Sequence, residues 1–343
     1  MEKQLIILVH GMGTHPKGNI TKEFKKAIAD RSTGFGITDQ SFLENVDYQE
    51  FNYSEYFDLI RKQFADNAQA RKKGFGYLIG KGFEEKLLNQ LTSFEANFGK
   101  DEFFYTHWLD VILYSTMYFG EKSCFDFISF FDKLQKKYFP RNIHVICHSL
   151  GTAVVHDALA KYYRLDSDPY DNIPDLEAGG FNIASLWTFA NVSRMVNLLN
   201  GLTDPYHSTV VTGNHGCTND FFTIRHEYDP FTWFKTYDRE MEDCTKFINT
   251  VFKKINTHDF YEYVTEPNVA RLILNRIYEV DINEKSFKQG LADYEKSGLK
   301  QEVIELKQLI DDSKKDPSIS SIKAAVFQFK IIQNKIKELS SES

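Results

Sequence analysis

Cysteine is scarce in this 343-residue chain: Cys124, Cys147, Cys217 and Cys244 are all it contains. They form no Cys-x-x-Cys pair and show no zinc-ligand spacing, which argues against a disulfide framework and a structural zinc site. Free thiols in a reducing compartment are expected. No stretch approaches the ~18 uncharged apolar residues that a membrane helix needs. Met1-Glu2-Lys3-Gln4 runs straight into an apolar segment, with no n-region or h-region for a secretory leader. A cytoplasmic location is the expectation, with peripheral membrane contact left open. Basic residues are not in excess either, since the formal net charge is −7. That removes any global attraction to nucleic acid or anionic lipid, and Arg71-Lys72-Lys73 reads as a solvated run. Internal repeats and low-complexity linkers are also missing.

Apolar and aromatic residues are plentiful. Thirty phenylalanines within a 42% hydrophobic composition suit a globular core and not a disordered chain. Leu5-Ile6-Ile7-Leu8-Val9, closed by Gly11 and Gly13, has the unbroken β-rich pattern of a parallel strand buried on both faces. Residues 20–31 carry a helical period. Val46 to Tyr53, Ile143 to Ile146, Leu186 to Ala190 and Phe221 to Ile224 read as further strands. Thr152 to Tyr163 reads as a helix, and Asn249 to Ile255 is ambiguous between strand and helix. This alternation predicts an α/β fold, a mostly parallel central sheet flanked by helices. Two regions exceed that repeat. Residues 54–138 read as a helical insertion containing Gly74, Gly76, Gly80 and Gly82 and many aromatics. Residues 281–343 read as a helical extension split by Pro317, leaving 1–280 as the α/β domain.

Chemistry concentrates at Ile146-Cys147-His148-Ser149-Leu150-Gly151, between a strand and a helix. A serine on so sharp a turn is lifted above the sheet edge, and the residues two before and two after must be small. Gly151 satisfies this; Cys147 stands where glycine is usual and is the pattern's one departure. The following helix aims free N–H groups at a developing oxyanion. Two backbone donors from different loops are needed, and Leu150 N–H and Met12 N–H are the candidates, with Gly11 and Gly13 freeing the backbone around Met12. A phosphate-cradling reading of Gly13 to Gly18 fails because Asn19-Ile20 stands where Lys-Ser/Thr is required. His144 and His148 lie across a strand and turn, which does not suit a helical metal pair. No cofactor or metal is expected.

Together, His10-Gly11-Met12-Gly13, His148-Ser149-Leu150-Gly151, Asp229-Pro230 and His258 resemble the α/β-hydrolase family, particularly its lipase and esterase branch. The resemblance spans roughly the first 280 residues as scattered motifs in the family's order. It implies an α/β-hydrolase fold with Ser149 as nucleophile, an acid after a late strand, and a histidine later still. Asp229 is the choice of acid, because an Asp-Pro is common in this loop of lipase-like members. Glu227 is the close competitor, Asp204 and Asp238 are weaker, and Asn191 occupies a slot that some lipases use. His258 is the only histidine after Asp229.

Three functions follow as alternatives. The first is a carboxylic-ester hydrolase acting on an acyl or lipid ester through an acyl-enzyme. The second uses the same triad on a thioester or amide, or transfers the acyl group. The third is a non-catalytic module that binds a partner. Residues 54–138 lie where the family often places a lid or pocket wall; the rival reading makes their aromatics plain helix core. Ile322, Ala325, Phe329, Ile332, Ile336 and Leu339 form an apolar helix seam, as Leu299, Val303, Leu306 and Ile310 do before Pro317. That seam packs on its own chain or forms a homodimer or partner interface.

Overall fold

Leu5, Ile6, Ile7, Leu8 and Val9 are all fully buried, so the strand they form requires apolar cover on both faces and a neighbour on each edge. The computed structural model, which describes residues 3–13, 15–53, 114, 117–163, 182–200, 204–213, 216–233, 235–254, 256–296 and 304–315, supplies both. The strands are β1 (Gln4–Val9), β2 (Val46–Phe51), β3 (Ile143–His148), β4 (Ile183–Phe189), β5 (Thr218–His226) and β6 (Cys244–Asn249). They form one six-stranded sheet in the order β2-β1-β3-β4-β5-β6, and every neighbouring pair is parallel. Leu5 aligns with Asp47 of β2 on one side and Ile143 of β3 on the other.

Strand alternation sorts the core into two layers. Leu5, Ile7 and Val9 pack with α2 (Met117–Gln135) and α3 (Leu150–Tyr162). Ile6 and Leu8 face α1 (Asn19–Gly34), α5 (Phe260–Val264) and α6 (Pro267–Tyr278). Among the described residues the remaining α-helices are α4 (Ser193–Asn200), α7 (Glu284–Lys296) and α8 (Ile304–Lys315). The apolar stripe of α1 is Ile20, Phe24, Ala27 and Ile28. Glu50 on β2 caps its start, accepting the N–H groups of Gly18 (2.5 Å) and Thr21 (2.8 Å).

The strand order reverses direction once. The chain steps from β1 to β2 on one side, then returns across β1 to β3 and continues outward. In open parallel sheets the crevice beyond the strand C-termini at such a switch point is where ligands bind. Here the switch lies between β1 and β3, whose ends lead into Gly11-Met12 and Ser149.

The sequence-based elements agree in kind with this arrangement, with one displacement. The last strand is Cys244–Asn249, ending where the ambiguous segment was expected to begin. It is an edge strand whose Thr245, Lys246 and Ile248 are exposed, so its apolar run is too broken to stand out. Within the 54–138 insertion, Met117–Gln135 is a helix whose Phe127 and Phe131 are fully buried beside β1 and β3. Those two aromatics are sheet-covering core. Residues 54–113, including the four spaced glycines, lie outside the described residues. So do Leu299, Val303, Pro317 and the seam from Ile322 to Leu339. The described part of the extension packs on its own chain, through Phe287 and Tyr294 of α7 and Leu306 and Ile310 of α8. No helix among the described residues is long and apolar enough to cross a membrane.

Candidate active site

Ser149 is the residue between β3 and α3, and its backbone is strained (φ 53°, ψ −126°). A non-glycine residue at positive φ costs free energy and persists only where its surroundings over-determine it. Several contacts do so here. Ser149 N–H donates to Phe189 O at the end of β4 (2.9 Å), and Ser149 O accepts Thr152 N–H and Oγ1–H. The small residues of the elbow are explained by distance. A Cβ on Gly151 would lie 2.4 Å from His10 O and 2.9 Å from Val9 O, and one on Gly11 would lie 2.8 Å from Ser149 Cβ. Cys147, the departure from glycine, is accommodated because its thiol turns under β4 and reaches Trp187 O (3.3 Å).

The loop after β1 is pressed against this elbow and clamped from β2. Tyr53 Oη lies within hydrogen-bond distance of both His10 O (3.0 Å) and Gly11 O (2.8 Å). Asn52 binds the His10 ring through Oδ1 and donates Nδ2–H to His15 O. The His10 ring stacks between those of His15 and Tyr53, with centroids 4.4 and 4.3 Å away. Met12 is buried in the same apolar cluster as Leu150. The two candidate oxyanion donors therefore belong to adjoining segments.

The structure brings Ser149, Asp229 and His258 together. His258 Nε2 lies 2.7 Å from Ser149 Oγ, and His258 Nδ1 lies 2.7 Å from Asp229 Oδ2. A carboxylate only accepts, so Nδ1 carries the proton and Nε2 is left to accept from the serine hydroxyl. All three side chains are buried. Asp229 follows β5 and caps the turn at Pro230–Thr232, its Oδ1 accepting Phe231 N–H (3.0 Å). His258 follows β6 in a loop held at both ends. Thr257 Oγ1–H donates to Tyr228 O (2.7 Å), and Asp259 caps α5. The rival carboxylates are engaged elsewhere. Glu227 pairs with Lys307 of α8 (3.0 Å), Asp238 with Lys246 (2.7 Å), and Asp204 accepts Tyr206 N–H (2.9 Å). Asn191 Oδ1 accepts from Ser193 N–H and Oγ–H.

Further residues support this arrangement without a signal in the sequence. Tyr263 on α5 donates its hydroxyl proton to Asp229 Oδ2 (2.6 Å) and accepts His226 N–H (3.1 Å). Burial, followed by the Asp229 charge, pushes its phenol well above 10. Burial also lowers the His226 imidazole. Its Nε2–H donates to Val251 O (3.2 Å) and its Nδ1 accepts Tyr228 N–H (3.1 Å), a neutral tautomer that shapes the acid loop. His148 lies against His258 (4.8 Å between centroids) and Phe260, and Phe231 also packs on His258 (4.5 Å). The described residues contain no cluster of three or more His, Cys, Asp or Glu suited to a metal ion.

A hydroxyl, an imidazole and a carboxylate joined by consecutive short hydrogen bonds can generate an oxygen nucleophile at neutral pH. Neither a protein-family model nor a curated protein matches the chain.

Proposed function

We propose that this protein is a serine hydrolase of the α/β-hydrolase class that cleaves carboxylic esters through an acyl-enzyme. The observation that carries the proposal is the continuous 2.7 Å and 2.7 Å linkage from Ser149 Oγ through His258 to Asp229, beside a strained elbow at the sheet's switch point. Serine is a weak nucleophile until a base removes its proton during attack. His258 Nε2 takes that proton as Oγ bonds to the ester carbon. Asp229 keeps Nδ1 protonated and stabilises the imidazolium without accepting its proton. The carbonyl oxygen, now an anion, meets Leu150 N–H at the start of α3 and Met12 N–H from the loop after β1. His258 then protonates the departing alcohol, and water repeats the sequence to release the acid.

An apolar acyl group is the substrate class favoured, because the rings of Phe231 and His148 pack on His258 (4.5 and 4.8 Å between centroids) and Leu150 directly follows the serine. A fluorophosphonate probe is expected to label the wild type and spare Ser149→Ala, which keeps its fold. His258→Ala and Asp229→Asn are each expected to lose turnover by ~10³-fold or more, while Glu227→Gln stays within a few-fold. Equal labelling of Ser149→Ala refutes the assignment. A matched panel of acyl esters, thioesters and glycerophospholipids identifies the leaving group.

A further inference from the structure

We infer that Tyr263 is a positioning residue for the Ser149–His258–Asp229 unit, setting the orientation and charge distribution of Asp229; this rests on the hydrolase reading of that site. Asp229 is completely buried, and a carboxylate without water needs several donors to remain charged. Oδ1 has Phe231 N–H. Oδ2 is shared by two donors, His258 Nδ1–H at 2.7 Å and Tyr263 O–H at 2.6 Å. The Tyr263 contact is as short as the histidine's, so it competes for the same oxygen on equal terms.

The phenol has one proton, and its direction is dictated. His226 N–H already donates to the Tyr263 oxygen, which leaves the hydroxyl proton pointing at Asp229. That backbone donor also polarises the phenol, strengthening its onward bond. The ring is packed against Phe189 (6.2 Å between centroids) and His226 (6.4 Å), which restrains its rotation. Burial holds the phenol protonated across the working pH range.

The topology gives this contact its purpose. Tyr263 lies five residues after His258, on the short helix that Asp259 caps. About one turn of chain thus brings both the imidazole and a hydroxyl to the same oxygen of the Asp229 carboxylate. The two grip Oδ2 between them, while Oδ1 is bound to the turn that Asp229 itself caps. Rotation of the carboxyl about Cβ–Cγ would break three bonds at once. The second donor also draws charge off Oδ2, which keeps the carboxylate from capturing the imidazolium proton. The other ionisable groups near the pair are His148, His226, Arg225, Glu227 and Glu262.

The test uses the low-field NMR resonance of the His258 Nδ1 proton, assigned by its loss in His258→Gln, and needs no substrate. In Tyr263→Phe, Oδ2 becomes a stronger acceptor for His258, so the resonance moves downfield. Site-specific replacement of Tyr263 by 3,5-difluorotyrosine, an isosteric and stronger donor, moves it upfield. The fluorinated variant also guards against a Phe variant that fails to fold. On esters, Tyr263→Phe is expected to lower kcat about 10–100-fold with KM within about twofold, since positioning is expressed in the transition state. Shifts of the same sign in both variants, or no shift in either, overturn the inference even if the wild type is an active esterase. Opposite shifts in a protein that neither labels with fluorophosphonate nor turns over esters uphold the clamp and refute the hydrolase reading.

Discussion

Replacing Gly151 by alanine sets two effects of known sign against each other. Inside a helix the change gains up to about 1 kcal/mol of propensity. Against that stand the neighbours a methyl would meet: His10 O at 2.4 Å, Val9 O at 2.9 Å and Val9 Cγ1 at 3.1 Å. Two of these are backbone oxygens at the end of a strand paired on both edges, so neither can rotate aside as a side chain would. Overpacking of this kind costs about 1–3 kcal/mol even after relaxation. The net expectation is a loss of about 1–2 kcal/mol, or a melting temperature lower by about 1–3 °C for a chain of this length. Gly34→Ala is the control, because its nearest neighbour is Arg31 Nη1 at an ordinary 3.6 Å, and it should be neutral or gain up to about 1 kcal/mol. Relaxation in Gly151→Ala must displace the carbonyls just before Gly11-Met12, so ester turnover should fall at least about tenfold, as loss of an oxyanion donor does. Scanning calorimetry and initial rates on both variants are decisive. A Gly151→Ala protein as stable and active as wild type would show that the elbow has room the distances deny it.

Three further outcomes are expected. Cys124, Cys147 and Cys217 are buried, and burial pushes their thiols up, to about 12 for Cys124 and Cys217, whereas Cys244 is partly exposed. A thiol–disulfide reagent at pH 8 should therefore titrate one thiol in the native chain and four after denaturation; a second native thiol would contradict the packing beneath β3. His144 is buried between Ser185 Oγ (2.6 Å) and Gln4 Oε1 (3.2 Å), and burial lowers it from 6.5 to about 4. Between those values the unfolded chain binds a proton that the folded chain does not, so stability is full above the upper value and falls as pH drops through the window. The effect is on the order of 3 kcal/mol, and denaturant titrations at pH 7.5 and 4.5 should show His144→Gln losing correspondingly less than wild type. Charge reversal at Lys307→Glu, opposite Glu227, should cost no more than about 1 kcal/mol in urea titrations, because the lysine is half exposed. The double reversal with Glu227→Lys should recover most of it.

The parts of the sheet that were most plainly legible are those whose burial is total. Leu5 to Val9 and Ile143 to Ile146 carry no polar residue except His144, and such short unbroken runs suit a strand buried on both faces. The elbow was legible because its constraint is local: the positions two before and two after Ser149 admit only small side chains. The displaced edge strand shows the converse, since Lys246 and Thr245 face outward and erase the apolar signature. Tyr263 was hidden for another reason. A tyrosine in Phe260-Tyr261-Glu262-Tyr263-Val264 reads as helix core, and nothing in the string tells which of the two tyrosines turns toward Asp229. Tyr261 instead donates to Asp30 at the surface (2.6 Å). That distinction depends on the angle at which α5 crosses β5, which is a tertiary quantity. The clamp of Asn52 and Tyr53 on the loop after β1 was equally silent, since it depends on the register of β2 beside β1.

The strand order has a kinetic consequence. β1 must find β3 across about 140 residues, Leu5 aligning with Ile143, and His258 must meet Ser149 across 109. Pairings of such sequence separation are slow to form, because loop closure is unfavourable before any contact rewards it. The elbow at Ser149 needs β4 in place to receive its N–H, and His258 arrives only once β6 has joined the far edge of the sheet. Helix content and partial burial are therefore expected to return early in refolding, while the reactivity proposed for Ser149 would appear only when the last strand is seated. The site is a clock for completion of the sheet.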